Sequence, residues 1–100
     1  LDSNGLQIDG EVEKVMNVGP LDEKWRAFGW HVIEINGHDF KEIFDALDEA
    51  RTVKGKPTMI IAKTVKGKGV SFMENLASWH GSAPNAEQTE KALEDLSKND

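Results

Sequence analysis

The sequence predicts an α/β fold, and three consecutive patterns carry this prediction. Residues 30–35 alternate apolar and polar side chains, residues 39–53 have a helical period, and residues 58–62 form a nearly uninterrupted apolar run. Strand, helix and strand in this order make a βαβ unit, whose strands are parallel and whose crossover is right-handed. We therefore expect a parallel sheet with flanking helices.

Residues 3–19 read as a long connection rich in Gly and Asn, and such loops usually have a function. A short amphipathic helix should follow it. Pro20 offers the fixed φ of a helix start, and Leu21, Trp25 and Phe28 recur at spacings of four and three. Gly29 then marks the end of this helix.

The second predicted helix begins at Asp39, which forms a capping box with Glu42. Its apolar face comprises Ile43, Phe44, Leu47 and Ala50. The Gly and Pro of residues 54–57 end it. We expect the apolar run that follows to be the central strand, because both of its faces must be covered.

Residues 65–83 lack any sustained period and contain several glycines, so they predict a second long loop after the carboxyl end of a strand. Ligands bind on that side of open parallel sheets. Asn85 with Gln88 predicts the cap of a terminal helix over residues 85–97. Its few apolar positions, Leu93 and Leu96, predict weak docking.

Length and composition limit the classes of protein. One hundred residues provide one domain at most, with a modest core, and the net charge of −6 disfavours general polyanion binding. No apolar run approaches the ~20 residues that cross a bilayer, and no signal peptide is seen. The absence of Cys suits a reducing compartment, so we expect a cytoplasmic location. The sequence begins with Leu1 and not Met, and it continues directly into a loop-like segment, so we expect a fragment.

The first loop places the Asn4 amide two residues before the carbonyl of Leu6, with Gly5 between them to permit a tight turn. This spacing can present two neutral oxygens to one cation. Mg²⁺ suits the site, because it is bound by oxygen and leaves other positions to water and ligand phosphates. The alternative is that Asn and Gly here only form a turn.

The second loop combines Lys63, Lys66 and Lys68 with glycines directly after a buried strand, which suits a diphosphate. The spacing is not that of a Walker motif, and a solvated basic loop is the alternative. His80, between Trp79 and a glycine, could donate to a phosphate or transfer protons. It could also be an ordinary surface residue.

The two remaining histidines, His31 and His38, are assigned to structure, because one lies on a strand and the other precedes a helix cap. No two histidines have metal-ligand spacing, so a zinc site is not expected.

Five segments in register resemble the transketolase family. Residues 2–10, D-S-N-G-L-Q-I-D-G, resemble its D-x-N-x-[LI]-x-I-D-G segment, and residues 24–30, 37–39, 63–69 and 78–81 fall where the family has similar segments. The resemblance runs from Leu1 to about Pro84, and residues 6–10 separate it from the deoxyxylulose-phosphate synthases. It implies that residues 1–100 are a fragment of one thiamine-diphosphate-binding domain.

Carried over by position, the resemblance implies a role for five residues. The Asn4 side chain and the Leu6 carbonyl would bind Mg²⁺ or Ca²⁺, which bridges the diphosphate of thiamine diphosphate. Ile8 would lie against the cofactor rings, and Lys66 near the cofactor. His80 would touch the diphosphate and assist proton transfer in the substrate. The implied reaction transfers a two-carbon ketol unit from a ketose phosphate to an aldose phosphate.

Some of the family's functional residues do not occur in this sequence. They are the aspartate of G-D-G, a glutamate that activates the cofactor, and the arginines that hold sugar phosphates. Ser82 stands where many members have Lys. We therefore expect the chain to need the rest of a transketolase, namely its pyrimidine-binding domain and a second protomer, and to be inactive alone.

The alternative function is a non-catalytic module that uses Lys63, Lys66 and Lys68 to bind a phosphorylated ligand or nucleic acid. The acidic total charge and the lack of aromatic residues among the lysines count against nucleic acid. We expect no nucleic-acid and no membrane partner.

Overall fold

The computed structural model describes residues 1–98, which form two compact units. The first unit contains residues 1–3 and 17–64, and the second contains residues 4–16 and those from 65 onward. In chain order the elements are β1 (Asp2–Ser3), β2 (Leu6–Gln7), β3 (Gly10–Glu11), α1 (Val12–Val15), α2 (Leu21–Ala27), β4 (His31–Asn36), α3 (Phe40–Thr52), β5 (Thr58–Lys63), a 3₁₀ turn (Ala77–His80) and α4 (Ala86–Ser97).

The first unit is built on a three-stranded parallel sheet in the order β1-β5-β4. The β4–β5 ladder runs from His31 opposite Thr58 to Asn36 opposite Lys63. The predicted α/β class, the parallel strands and the central position of β5 are confirmed. Ile61 in β5 is 3% exposed, as expected for a residue of a covered central strand.

Helix α2 forms where the sequence predicts it, but its apolar face is smaller. Leu21 and Trp25 are half-buried, and the Trp25 ring lies 4.8 Å from that of Trp30. Phe28 is 80% exposed, so its assignment to this face is wrong. Phe28 is the C-cap residue, and Gly29 follows with φ +85°, so the helical period no longer sets the direction of its side chain.

Helix α3 begins at its predicted cap, with one difference. The Asp39 side chain accepts the amide hydrogens of Lys41 and Glu42 at 2.8 and 3.2 Å. The reciprocal half of the capping box is absent, because the Asp39 N–H already donates to the Asn36 carbonyl at 3.1 Å. The Glu42 carboxylate accepts the Asn36 N–H at 2.6 Å instead.

The buried face of α3 is centred on Ala46, which is 2% exposed. Of the residues that the sequence assigns to this face, Ile43 and Ala50 are half-buried, whereas Phe44 and Leu47 are exposed. These two lie toward the side of the helix, where nothing among residues 1–98 buries them. The assignment of Phe44 and Leu47 to a covered face is therefore wrong for this chain.

The second unit contains the parts that the sequence describes only as loops. Strands β2 and β3 form an antiparallel hairpin, which α1 extends. The segment after β5 folds on itself around Val70, which is 7% exposed. The predicted absence of regular structure in residues 3–19 is therefore wrong for residues 6–7 and 10–15, and for Ser3 at the end of β1. These elements are two to four residues long, too short for a detectable period.

Helix α4 begins with the predicted capping box, in which Asn85 and Gln88 exchange hydrogen bonds of 2.9 Å. Leu93 and Leu96 are exposed, which agrees with the weak apolar docking that the sequence predicts. Asp95 docks it instead. One oxygen of its carboxylate accepts the Ser71 N–H at 2.9 Å and the Ser71 hydroxyl at 2.6 Å.

Candidate functional site

Two loops leave the carboxyl edge of the parallel sheet at neighbouring strands. β1 ends at Ser3 and β5 ends at Lys63, and these two residues are register partners. The Thr64 hydroxyl donates to the Asp2 carboxylate just beyond the last pair. The two positions at which the chain leaves β1 and β5 are therefore neighbours at the carboxyl edge of the sheet.

The hairpin turns two oxygen atoms toward its outer edge. The Asn4 side-chain oxygen accepts the Leu6 N–H at 2.9 Å, across Gly5 with φ +75°. The Gly5 carbonyl accepts the Val12 N–H at 2.9 Å, which makes Gly5 a bonded position of the ladder. Bonded and non-bonded positions alternate in antiparallel pairs, so the backbone groups of Leu6 point away from β3. Its carbonyl therefore faces the same edge as the Asn4 oxygen.

This edge fits a hard cation only in part. The Asn4 side-chain oxygen carries two lone pairs, and the bond from the Leu6 N–H uses one of them. Among residues 1–98, no cluster of three or more His, Asp or Glu side chains could hold a metal ion. The hairpin thus has two neutral oxygens at one edge, and the role of Asn4 and Leu6 as metal ligands stays a prediction.

Ile8 lies at the tip of the hairpin, in the two-residue turn between β2 and β3, and is 66% exposed. A large aliphatic side chain held at an exposed turn is available to contact a flat apolar ligand. This position is compatible with the predicted contact to the cofactor rings.

The three lysines of the predicted basic cluster differ in their surroundings, and Lys63 is the last residue of β5. Lys63 pairs with Glu34 at 3.0 Å and Lys68 with Glu74 at 3.6 Å. Lys66 is half-buried and has no ion pair within the part of the chain that the structure describes. A half-buried ammonium is favoured by a nearby negative charge. Of the predicted basic cluster, Lys66 is therefore the cation best placed to receive an anionic group.

A folded loop over residues 66–75 fixes the position of Lys66. The Asn75 N–H donates to the Lys66 carbonyl at 3.0 Å and closes the loop, with Asn75 in the left-handed region at φ 56°. The Glu74 carboxylate accepts the Gly69 N–H at 2.9 Å. No pattern in the sequence points to Glu74 or Asn75. Neither belongs to a motif, and their partners lie five and nine positions earlier in a segment without a period.

His80 is exposed and ends the 3₁₀ turn, which contacts β3 of the hairpin. The preceding Trp79 is half-buried and is held to the loop by Phe72. Asn4, Leu6, Ile8, Lys66 and His80 thus all belong to the second unit, although up to 76 positions separate them in sequence. The fold brings the predicted site residues into one compact unit.

A parallel sheet with two structured loops leaving its carboxyl edge defines an α/β ligand-binding domain. The sequence matches the family described as transketolase, thiamine diphosphate binding domain, over residues 1–99. The chain therefore belongs to the transketolase family, of which it represents part of the cofactor-binding domain. Within residues 1–98 the structure contains no helix long and apolar enough to cross a membrane.

Similar proteins include an apulose-4-phosphate transketolase subunit of Phocaeicola vulgatus, which is 42% identical over 98 residues, and the 6-deoxy-6-sulfo-D-fructose transketolase subunit SqwG of a Clostridium species, 43% identical over 97 residues. These matches cover 98% and 97% of this chain. The chain spans 35% of the length of each relative.

Solved structures agree with this assignment. The transketolase of Campylobacter jejuni is 38% identical and superposes with a TM-score of 0.87, covering 96% of this chain and 15% of its own. The transketolase of Leishmania mexicana is 26% identical with a TM-score of 0.74, covering 97% of this chain and 18% of its own.

Proposed function

We propose that this chain provides the diphosphate-binding side of the active site in a transketolase. The assembled enzyme would transfer a two-carbon ketol unit from a ketose phosphate to an aldose phosphate. The observation that carries the proposal is the hairpin edge, where the Asn4 side-chain oxygen is held beside the outward carbonyl of Leu6. The transketolase family assignment gives this edge its chemical context.

Each of the five residues has a role in this proposal. Asn4 and Leu6 bind Mg²⁺ or Ca²⁺ through neutral oxygens, and Lys66 attracts the diphosphate. Ile8 contacts the cofactor rings, and His80 donates a hydrogen bond to the diphosphate and transfers a proton at the sugar hydroxyl of the substrate. When bound, thiamine diphosphate supplies the nucleophilic carbon that attacks the donor carbonyl.

The chain would act as one part of a larger assembly. Both units would belong to one thiamine-diphosphate-binding domain, and a pyrimidine-binding domain and a second protomer would complete the site. Two relatives are named as subunits of transketolases, and the chain spans 35% of their length, which supports this view. We place the enzyme in the cytoplasm, with sugar phosphates as its substrates.

A non-catalytic module that binds nucleic acid through the basic loop is the competing function. The ion pairs of Lys63 and Lys68 count against it, because they leave one unpaired lysine of the three in the described residues. Backbone-directed nucleic-acid binding requires several unpaired cations along a groove.

Titration calorimetry of the assembled transketolase with Mg²⁺ and thiamine diphosphate tests the proposal. Asn4→Ala should weaken Mg²⁺ affinity by at least about tenfold. Asn17→Ala is the matched control, because the Asn17 side chain accepts the Gly19 N–H at 2.9 Å in the same type of turn. Equal affinity in both variants would remove Asn4 as a ligand.

The isolated chain gives a second measurement of the same proposal. It should bind Mg²⁺ and thiamine diphosphate negligibly, because two neutral oxygens hold Mg²⁺ weakly. Tight binding by the isolated chain would contradict the requirement for a charged ligand from the rest of the enzyme.

A further inference from the structure

We propose that Trp79 is a positioning residue that holds His80 in place through the folded loop. This inference deepens the proposed function and depends on it, because it requires that His80 contact the diphosphate or the substrate. No part of the resemblance to the transketolase family assigns a role to Trp79.

Two contacts attach the Trp79 side chain to Phe72. The indole N–H donates to the Phe72 carbonyl at 3.0 Å. The two rings meet edge to face, with centroids 5.6 Å apart and an interplanar angle of 63°. This arrangement is the favourable one for aromatic rings, and a half-buried indole N–H requires an acceptor. One side chain is thus fixed in both position and rotation.

The backbone around His80 is held by the contact of the 3₁₀ turn with β3 and by the bond of 3.2 Å from the Ser82 hydroxyl to the Ser78 carbonyl, but the side chain of His80 has no such support. Its side chain is exposed and makes no hydrogen bond or ion pair within residues 1–98. It ends a single 3₁₀ turn of four residues, and such turns have weak hydrogen bonds of their own, here 3.3 Å from the Trp79 N–H to the Leu76 carbonyl. The next residue is an exposed glycine with open space around it. Trp79 is the neighbour of His80 whose side chain attaches this turn to the folded loop, so the direction of His80 depends on it.

Phe72, the partner of Trp79, is itself held in place by its neighbours. Phe72 lies between Ser71, whose N–H and hydroxyl both bind Asp95, and Met73, whose N–H donates to the Val70 carbonyl at 2.9 Å. Val70 itself is buried. Residues 70–73 are therefore held in place by several hydrogen bonds, and Trp79 attaches the turn that carries His80 to them.

The test replaces Trp79 by Phe in the assembled transketolase, which keeps an aromatic ring and removes the donor to the Phe72 carbonyl. We expect kcat for ketol transfer to fall by about tenfold, because small displacements of a reacting group are costly. The Kd for thiamine diphosphate should rise by less than about threefold, because only the hydrogen bond from His80 to the diphosphate is weakened, while the hairpin and Lys66 are untouched. Trp25→Phe, which alters the other ring pair, is the matched control and should leave kcat unchanged.

A double-mutant cycle separates positioning from general stabilisation. If Trp79 acts through His80, Trp79→Phe should have no further effect on kcat in a His80→Ala background. Additive losses would overturn the inference and leave the proposed function intact. Full activity of His80→Ala alone would overturn the role of His80, and the inference with it.

A second variant covers the case in which Trp79→Phe fails to assemble. Phe72→Leu removes the ring contact and retains the carbonyl acceptor, so kcat should fall less than about tenfold. This loss should also disappear in the His80→Ala background. A loss that persists there would again contradict a positioning role.

Discussion

At the scale of single residues, Gly67 is where the site depends most on having no side chain. Its φ is +71°, and a Cβ atom built there would lie 2.8 Å from both the Cβ and the carbonyl oxygen of Met73. Met73 cannot move away easily, because its N–H is bonded to the Val70 carbonyl. The tight approach of these two backbone segments therefore requires glycine.

Gly67→Ala should destabilise the loop that carries Lys66. The loss of free energy should exceed the cost of backbone strain at a positive φ, because the new Cβ atom also meets Met73. We expect the strain to cost about 1–2 kcal/mol and the contact with Met73 about 1–3 kcal/mol more. Native-state hydrogen exchange of the Asn75 amide, which closes the loop, measures this free energy in the assembled enzyme.

Gly55→Ala provides the control for Gly67→Ala. Gly55 has a similar φ of +79°, but a Cβ atom there meets nothing within 4 Å. This variant should show the strain alone, in exchange of amides around Gly55. Equal costs at the two glycines would mean that Met73 relaxes and that the close approach is unimportant.

At the scale of elements, the Asp95 carboxylate attaches α4 to the loop of the site through Ser71. The hydrogen bonds from the Ser71 hydroxyl and N–H lower the pKa of Asp95 below its ordinary value of 3.8. A carboxyl group whose folded-state pKa is depressed stabilises the fold above its unfolded-state pKa and loses this effect as the pH falls through the folded value. Attachment of α4 should therefore weaken below about pH 4.

Hydrogen exchange of the α4 amides between pH 3 and pH 6 measures this attachment. In the wild type, protection should decrease toward the acid end, whereas Asp95→Asn should be weakly protected at every pH in this range. Asp45→Asn, a change to an exposed carboxylate of α3, is the control and should leave α4 unaffected. Protection of α4 that is identical in wild type and Asp95→Asn would contradict the attachment.

Most of the regular elements could be predicted from the sequence, because each combines a period with a recognisable cap or break. Helix α3 has both the period and Asp39, and β5 is one apolar run. It is harder to predict from the sequence which helix residues are buried. Phe44 and Leu47 satisfy the helical period, but a period fixes only relative direction and not whether another surface covers that side.

The sequence predicts which residues form the candidate site. It does not predict which residues hold them in place. Asn4 and His80 belong to short segments that resemble a known family. Glu74 and Phe72 make their contacts only in the folded loop. No local sequence pattern predicts these contacts. The ion pair of Lys68 with Glu74 is of the same kind. The sequence predicts a cluster of three lysines, of which only Lys66 lacks an ion pair within residues 1–98.

At the scale of the whole molecule, the chain has a small core. The buried hydrophobic residues of the described part are Ile35, Ala46, Ile61 and Val70. Twelve large hydrophobic side chains of the same part are exposed, among them Phe28, Phe40 and Phe44 at 80%, 77% and 64%. Ordinary domains have a free energy of unfolding of about 5–15 kcal/mol, and they bury more apolar surface than this chain does. We therefore expect the isolated chain to be marginal.

Urea unfolding of the isolated chain, followed by circular dichroism, should give a free energy below about 3 kcal/mol. Ile61→Ala should then abolish folding, because truncating a buried Ile costs about 2–5 kcal/mol, as much as the whole expected stability. Phe28→Ala, at an exposed position, should change the free energy by less than about 0.5 kcal/mol. A cooperative transition of Ile61→Ala would contradict the expected marginal stability, because the chain would then fold with one of the four buried residues of its described part truncated.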